Sequence, residues 1–180
     1  SKAVSVFGKI VQKSTEPNDY RILAILLDGS RKTTEAIAIL DTAEVRFGRI
    51  PLLGRMRQYY LMKTGKVLAA EAEARKAVAE APYLADNQIA LAEIYWLTKR
   101  DSLAVASLKE AIAIDTLAVE PWVALGEFYQ MRGNKAGYLS TMEVVFANKN
   151  YPLKEKMEVW RKLSGDIASY RQFYSQYDAL

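Results

Sequence analysis

The sequence predicts an all-α protein, a right-handed α-solenoid of about 11 helices arranged as antiparallel pairs. Three observations lead to this fold class. Runs of ~12–16 residues place apolar side chains at i, i+3, i+4 and i+7, which is the period of a helix with one buried face. Proline and glycine residues separate these runs. Residue types also recur at an offset of 34 along most of the chain.

The expected elements follow from these breaks in order. Residues 1–16 are expected to form the second helix of a preceding unit, and the remaining chain divides into units 17–50, 51–84, 85–118, 119–152 and 153–180. Each unit holds two helices joined by a tight turn. The whole of 1–180 is therefore predicted to be one continuous array of repeats.

Ladders of similar residues support this division. The offset of 34 relates Ala36, Ala70 and Ala104; Ala43, Ala77 and Ala111; Leu40, Ala74 and Leu108; Leu27, Leu61, Tyr95 and Tyr129. Small residues let neighbouring helix backbones approach closely, and larger ones fill the grooves between them. Since one helix pair cannot bury its apolar face alone, the units are expected to stack.

One unit carries a recognisable motif. The segment Trp122-x2-Leu125-Gly126-x2-Tyr129 and the spacings Ala36-x3-Leu40 and Ala104-x3-Leu108 have a 34-residue period, and Pro82 closes a unit. On these residues the chain resembles the tetratricopeptide-repeat family over nearly its full length. The segment 138–180, with Phe146-Ala-Asn-Lys-Asn followed by Pro152-Leu-Lys-Glu-Lys, also resembles the long multi-repeat proteins that Bacteroidetes-type bacteria export to the cell envelope. This resemblance implies an envelope location, with a cytoplasmic one as the alternative.

Four positions depart from the repeat pattern. Gln58 and Trp160 stand where Ala24, Ala92 and Gly126 supply a small residue on the first helix. Arg57 replaces a first-helix leucine, and Tyr138 replaces a second-helix alanine. Helix packing in the second, fourth and fifth units is therefore expected to differ from that of the other units.

Composition excludes several functions. With 0 Cys and 0 His, the chain has no ligands for zinc fingers, haem or iron–sulfur clusters, and no imidazole or thiol for a nucleophilic triad. No metal, cofactor or catalytic residue is predicted, and the chain is not expected to be an enzyme. The longest aliphatic stretch, 22–27, is far shorter than the ~20 residues of a membrane-spanning helix.

A nucleic-acid partner is not expected either. The net charge is only +4, and its excess is spread along the chain. One stretch does interleave basic with aromatic residues, as single-stranded nucleic-acid sites do: Arg55, Arg57, Tyr59, Tyr60, Lys63 and Lys66. No RNA-binding motif accompanies it, so a solvated helix face is the preferred interpretation.

The family resemblance implies that the first helix of each pair lines a concave groove. The groove-facing positions are then Arg21, Ile25, Arg55, Tyr59, Met62, Ile89, Glu93, Trp96, Val123, Glu127 and Gln130. Aromatic, methionine and charged residues together are typical of protein recognition. We therefore expect a scaffold that binds a peptide or protein partner in this groove. The alternative is that Trp96 and Met62 pack between repeats.

The predicted groove is bipolar. Arg21 and Arg55 lie in the earlier units and Glu93 and Glu127 in the later ones, and the units 51–84 and 85–118 carry net charges of +3 and −2. A peptide with separated charge blocks is expected to place its acidic part toward Arg55 and its basic part toward Glu127. Tyr59 and Trp96, which are predicted to lie on neighbouring first helices, are expected to anchor the ligand.

Two other functions remain open at this stage. The repeats could serve as a structural spacer or oligomerisation module of a longer polypeptide, or as an accessory region of an enzyme. An aromatic stripe on the last helix bears on the first of these: Tyr170, Phe173, Tyr174 and Tyr177. The stripe is expected to be core, and self-association through it is the functional alternative.

Overall fold

The fold was determined from a computed structural model, which describes residues 2–164 and residue 171. Ten helices and no strand occur in the described residues. The helices are α1 (Lys2–Lys13), α2 (Pro17–Gly29), α3 (Thr33–Phe47), α4 (Pro51–Lys63), α5 (Val67–Glu80), α6 (Ala85–Leu97), α7 (Asp101–Ile114), α8 (Glu120–Met131), α9 (Lys135–Ala147) and α10 (Leu153–Ser164).

The all-helical fold class is confirmed, and ten helices are close to the predicted 11. The described residues contain the leading helix, four helix pairs and the first helix of a fifth pair. The expected second helix of that pair lies outside the described residues. So does the aromatic stripe formed by Tyr170, Phe173, Tyr174 and Tyr177.

The chain divides into two compact units, residues 1–82 and residues 83–180. In the first unit, α2 packs against α3 and α4 against α5, while α3 contacts α4 and α1 covers α2 as a preceding second helix would. In the second unit, α6 packs against α7 and α8 against α9, and α8 contacts both α6 and α7. The helices thus pair in the order that the ladders predict. The division into five successive repeats of one array stays a prediction.

A left-handed turn follows the first helix of each of the four pairs that the structure describes. Its central residue is Arg31 (φ 61°), Gly65 (φ 75°), Lys99 (φ 60°) or Gly133 (φ 69°), and these four positions are 34 residues apart. The next backbone N–H in each turn donates to the carbonyl of Leu27, Leu61, Tyr95 or Tyr129, which form one of the sequence ladders. Because glycine adopts this conformation without strain, Gly65 and Gly133 mark the turn in the sequence, whereas Arg31 and Lys99 do not.

The small-residue ladder forms the centre of the helix pairs. Ala36, Ala70 and Ala104 on the second helices are each 0% exposed. On the first helices Ala24 and Ala92 are equally buried. These side chains leave room for close helix approach, and Leu40 and Leu108 fill the adjoining space.

In the fourth pair the large side chain lies on the second helix and the small residue on the first helix. Tyr138 is buried at the second-helix alanine position, and Gly126 faces it from the first helix. A Cβ added to Gly126 would lie 3.6 Å from Tyr138 Cδ2 and 2.5 Å from Met142 Cε. The glycine therefore makes room for the large side chains of α9.

The second pair uses ion pairs at a position where the repeat pattern has leucine. Arg57 on α4 donates hydrogen bonds to Asp41 on α3 and Glu73 on α5. Burial opposes the charged guanidinium, but the Asp41 hydrogen bond and the nearby carboxylates raise the pKa of Arg57 above its usual value. Arg49, in the loop before α4, pairs with Glu73 at 2.8 Å and with Glu80 at 3.0 Å. This network ties three helices of the first unit together.

No helix in the described part of the chain is both long and apolar enough to cross a membrane.

Candidate functional site

The predicted groove residues of the first unit lie on α2 and α4. Tyr59 is 62% exposed, and Arg55 and Ile25 are also exposed. Arg21 and Met62 are half-buried. An aromatic ring and a guanidinium on one helix therefore present surface to solvent, as a recognition face requires.

Two cations of the basic stretch on α4 already have carboxylate partners. Arg57 is held by Asp41 and Glu73, and Lys63 Nζ donates to both carboxylate oxygens of Asp28 at 2.7 and 2.9 Å. The Lys63 hydrogen bond is the main reason that the pKa of Asp28 lies below its usual value. These two side chains are therefore engaged within the fold, which weakens the nucleic-acid interpretation of this stretch.

In the second unit, α6 carries three of the predicted residues. Glu93 is exposed and Ile89 half-buried. Trp96 is half-buried, and its ring lies 6.3 Å from that of Phe128 on α8 in a tilted arrangement. The Trp96 carbonyl accepts a hydrogen bond from Arg132 at 2.8 Å. These contacts support inter-repeat packing of Trp96, and its role as an anchor stays a prediction.

The remaining predicted residues line a cleft between α8 and α10. Val123 and Glu127 contribute to a pocket of about 570 Å³, and both also line an adjoining recess of about 230 Å³ together with Gln130. We call these two spaces together the α8–α10 cleft. Its lining residues are Leu117, Ala118, Val119, Glu120, Val123, Ala124, Glu127, Gln130, Tyr138, Met142, Asn150, Tyr151, Pro152, Glu155, Glu158 and Val159.

Helical spacing and one pinned loop create the cleft. Val123 and Glu127 are four residues apart and share one face of α8, as Glu155 and Val159 do on α10. The loop between α9 and α10 is held by Asn148, whose side chain donates to the Leu117 carbonyl at 3.1 Å and accepts from the Asn150 N–H at 2.8 Å. This loop places the half-buried Tyr151 between the two helices.

Four glutamates line the α8–α10 cleft, and the charges of three of them act on Tyr151. Burial raises the pKa of the Tyr151 hydroxyl, and the charges of Glu155, Glu127 and Glu158 raise it further. Within the described residues, none of these three glutamates forms a salt bridge. The nearby Lys156 forms no salt bridge with them, and its Nζ donates to the carbonyls of Phe146 and Asn148.

Sequence reasoning found one side of this cleft and missed the other. Val123, Glu127 and Gln130 were expected from the groove register, whereas Tyr151, Glu155 and Glu158 were not. A signal for the missed residues does exist. The offset of 34 places Glu158 at the position of Ala90 and Ala124, so a glutamate stands where the two preceding units carry alanine.

Comparisons with known proteins were made for sequence and for structure. No protein-family model matches the chain, and no curated protein matches its sequence. Solved structures do match. A thermophilic tetratricopeptide-repeat protein from Thermus thermophilus is 18% identical, with a TM-score of 0.62 and coverage of 89% of this chain and 91% of that chain.

Two further structures give the same result. The C-terminal part of a tetratricopeptide-repeat protein from Cytophaga hutchinsonii is 19% identical, with a TM-score of 0.64 over 83% of this chain and 59% of that chain. MamA from Desulfovibrio magneticus, from residue 41 onward, is 15% identical, with a TM-score of 0.58 over 89% and 85%. The chain therefore has the fold of a tetratricopeptide-repeat protein, as its motif and ladders predict.

Proposed function

We propose that the chain is an interaction scaffold that binds a peptide or protein partner on the first-helix face of its repeats. One observation carries the proposal. The α8–α10 cleft is lined by Val123, Glu127 and Gln130, three residues that the repeat register assigns to the binding face. The proposal assigns no catalytic step and no cofactor to this site.

The dimensions and lining of the cleft support binding of a peptide side chain. The larger pocket, about 570 Å³, falls in the range of ~300–1,000 Å³ that is usual for ligand sites. Val119 and Val123 supply an apolar wall, while Glu127 and Glu155 supply polar groups. Apolar walls with a few polar groups are the arrangement that favours specific recognition.

The predicted groove residues of the first unit extend the proposal. Arg21, Arg55, Tyr59 and Met62 are assigned to partner contacts on α2 and α4, and Ile89, Glu93 and Trp96 to contacts on α6. We also retain the five repeat boundaries as part of the proposal. In this scheme the first helices, one from each repeat, provide the binding residues, and the second helices provide support.

Peptide display followed by photocrosslinking tests the proposal. Peptides are selected on the immobilised full chain and then incubated with variants that carry a benzophenone amino acid in place of one residue. A variant labelled at Gln130 on α8 is expected to capture the peptides. The control is labelled at Ser140, an exposed residue on the second helix α9. Capture at Ser140 alone, or failure to select any peptide, would contradict a first-helix binding face.

The spacer or oligomerisation alternative makes a different prediction. A spacer selects no peptide, and an oligomerisation module shows a mass that rises with protein concentration in sedimentation experiments. Peptide capture at Gln130 by a chain that stays monomeric would favour the binding scaffold over both.

A further inference from the structure

The α8–α10 cleft combines an apolar wall with carboxylates that form no salt bridge to any residue in the described part of the chain. On α8, Val123 and Glu127 lie one turn apart, and Glu155 faces them from α10. Glu158 adds a further carboxylate in the adjoining recess. Such a surface attracts a ligand that carries positive charge beside apolar groups.

The two lysines nearest to these glutamates along the chain are directed elsewhere. Lys156 Nζ donates to the carbonyls of Phe146 and Asn148, at 2.7 and 2.8 Å. Lys154 lines another pocket on α10, together with Glu158 and Arg161. Within the described residues no lysine or arginine lines the α8–α10 cleft, so the charges of Glu127 and Glu155 are available to a partner there.

The repeat register shows that two of these glutamates differ in charge from the residues at the same positions of the preceding repeat. Glu155 and Glu158 stand 34 residues after Pro121 and Ala124, where the preceding first helix carries uncharged residues. Both side chains are exposed, so their carboxylates are placed to meet a partner and add little to the contact between α8 and α10.

We propose that the α8–α10 cleft binds a basic peptide segment in which a lysine or arginine adjoins an aliphatic residue. The aliphatic side chain packs against Val119 and Val123, and the cationic side chain pairs with Glu127 and Glu155. This inference rests on the proposed function and names the chemistry of its partner. An arginine can donate two parallel hydrogen bonds to a carboxylate, so arginine is expected to bind more tightly than lysine.

Binding of designed peptides to the full chain tests this inference. The probe is a fluorescein-labelled eight-residue peptide that contains two Leu-Arg dipeptides flanked by glycine and serine residues. Its binding is measured by fluorescence anisotropy. Peptides with glutamine for arginine, or with serine for leucine, keep the length and remove one feature each. Both are expected to bind at least about tenfold more weakly, equal to ~1.4 kcal/mol. Added salt is expected to weaken only the arginine peptides.

Matched variants of the chain locate the binding site. The double variant Glu127→Gln and Glu155→Gln is expected to weaken the arginine peptide by about tenfold. The control, Glu110→Gln and Glu143→Gln, changes the net charge equally on α7 and α9 and is expected to leave the affinity unchanged. Far-ultraviolet circular dichroism checks that both variants keep their helical signal.

The outcomes separate this inference from the function on which it rests. Equal binding of the arginine and glutamine peptides, or equal losses in the two double variants, would overturn the basic-peptide assignment. If displayed peptides without basic residues nevertheless crosslink at Gln130, the scaffold function stands and this inference fails. If no peptide crosslinks there, both fail.

Discussion

The Glu73 carboxylate offers the sharpest test of what holds the first unit together. Its side chain is only 10% exposed, and it lies between two arginines. Arg49 Nη2 is 2.8 Å from Glu73 Oε1 and donates its hydrogen bond to the Glu73 backbone carbonyl, while Arg57 donates to Glu73 Oε2. The change Glu73→Gln keeps the shape and removes the charge. It should destabilise the fold because two partly buried guanidinium groups lose a shared counter-ion.

The expected loss of stability follows from the burial of Glu73, Arg49 and Arg57. Breaking a fully buried ion pair costs ~3–5 kcal/mol. Here the arginine side chains are 20% and 22% exposed, and each keeps another carboxylate, Glu80 for Arg49 and Asp41 for Arg57. We therefore expect the free energy of unfolding to fall by about half that amount, ~1.5–2.5 kcal/mol.

Glu80→Gln is the matched control. Glu80 lies on the same helix and pairs with the same Arg49 at 3.0 Å, but its side chain is 44% exposed. Solvent screens such a pair, so its loss should cost no more than ~0.5 kcal/mol. Urea unfolding followed by circular dichroism measures both changes, and an unchanged slope shows that the comparison is valid. Equal costs for Glu73→Gln and Glu80→Gln would refute the burial argument.

Three further changes test the fold by the same urea measurement. Asp28→Asn should reduce the loss of stability at acid pH. The Lys63 hydrogen bond lowers the pKa of Asp28 in the folded state below its unfolded value of about 3.9. The stabilisation by Asp28 is therefore present above the unfolded pKa and is lost as the pH falls through the folded pKa. Gly126→Ala should destabilise by ~1–2 kcal/mol, because the new methyl group meets Met142, and a gain would refute this contact. Lys99→Gly should stabilise by up to ~1 kcal/mol, because it relieves a left-handed backbone at φ 60°, and a loss would show that the lysine side chain compensates.

The fold could be predicted because its determinants repeat along the chain. Close helix approach needs alanine at Ala36, Ala70 and Ala104, and the tight turns favour glycine at Gly65 and Gly133. Each requirement is local and recurs every 34 residues, so a ladder reveals it. The sequence also showed which positions depart from the ladder. It did not show how these side chains pack, because their contacts are with residues far away along the chain.

Arg57 and the α8–α10 cleft show this limit. The sequence marked Arg57 as an exception, but its partners Asp41 and Glu73 lie 16 residues away on either side, on different helices. Likewise, Glu127 could be assigned to the binding face from its register. Tyr151 could not, since its position depends on a loop between α9 and α10 that belongs to no repeated pattern.

The close approach of α8 and α9 has a chemical consequence for Met142. Met142 is 3% exposed, and its ε-methyl carbon is 2.5 Å from the position that a Cβ on Gly126 would take, so the side chain fills the space that the glycine leaves. Met131 and Met157 are 59% and 60% exposed and can react with peroxide in the folded state. Met142 is expected to react more slowly than these two because it is buried. A sulfoxide at Met142 would put a polar oxygen between α8 and α9 and is expected to destabilise the fourth pair, whereas oxidation of Met131 or Met157 is not.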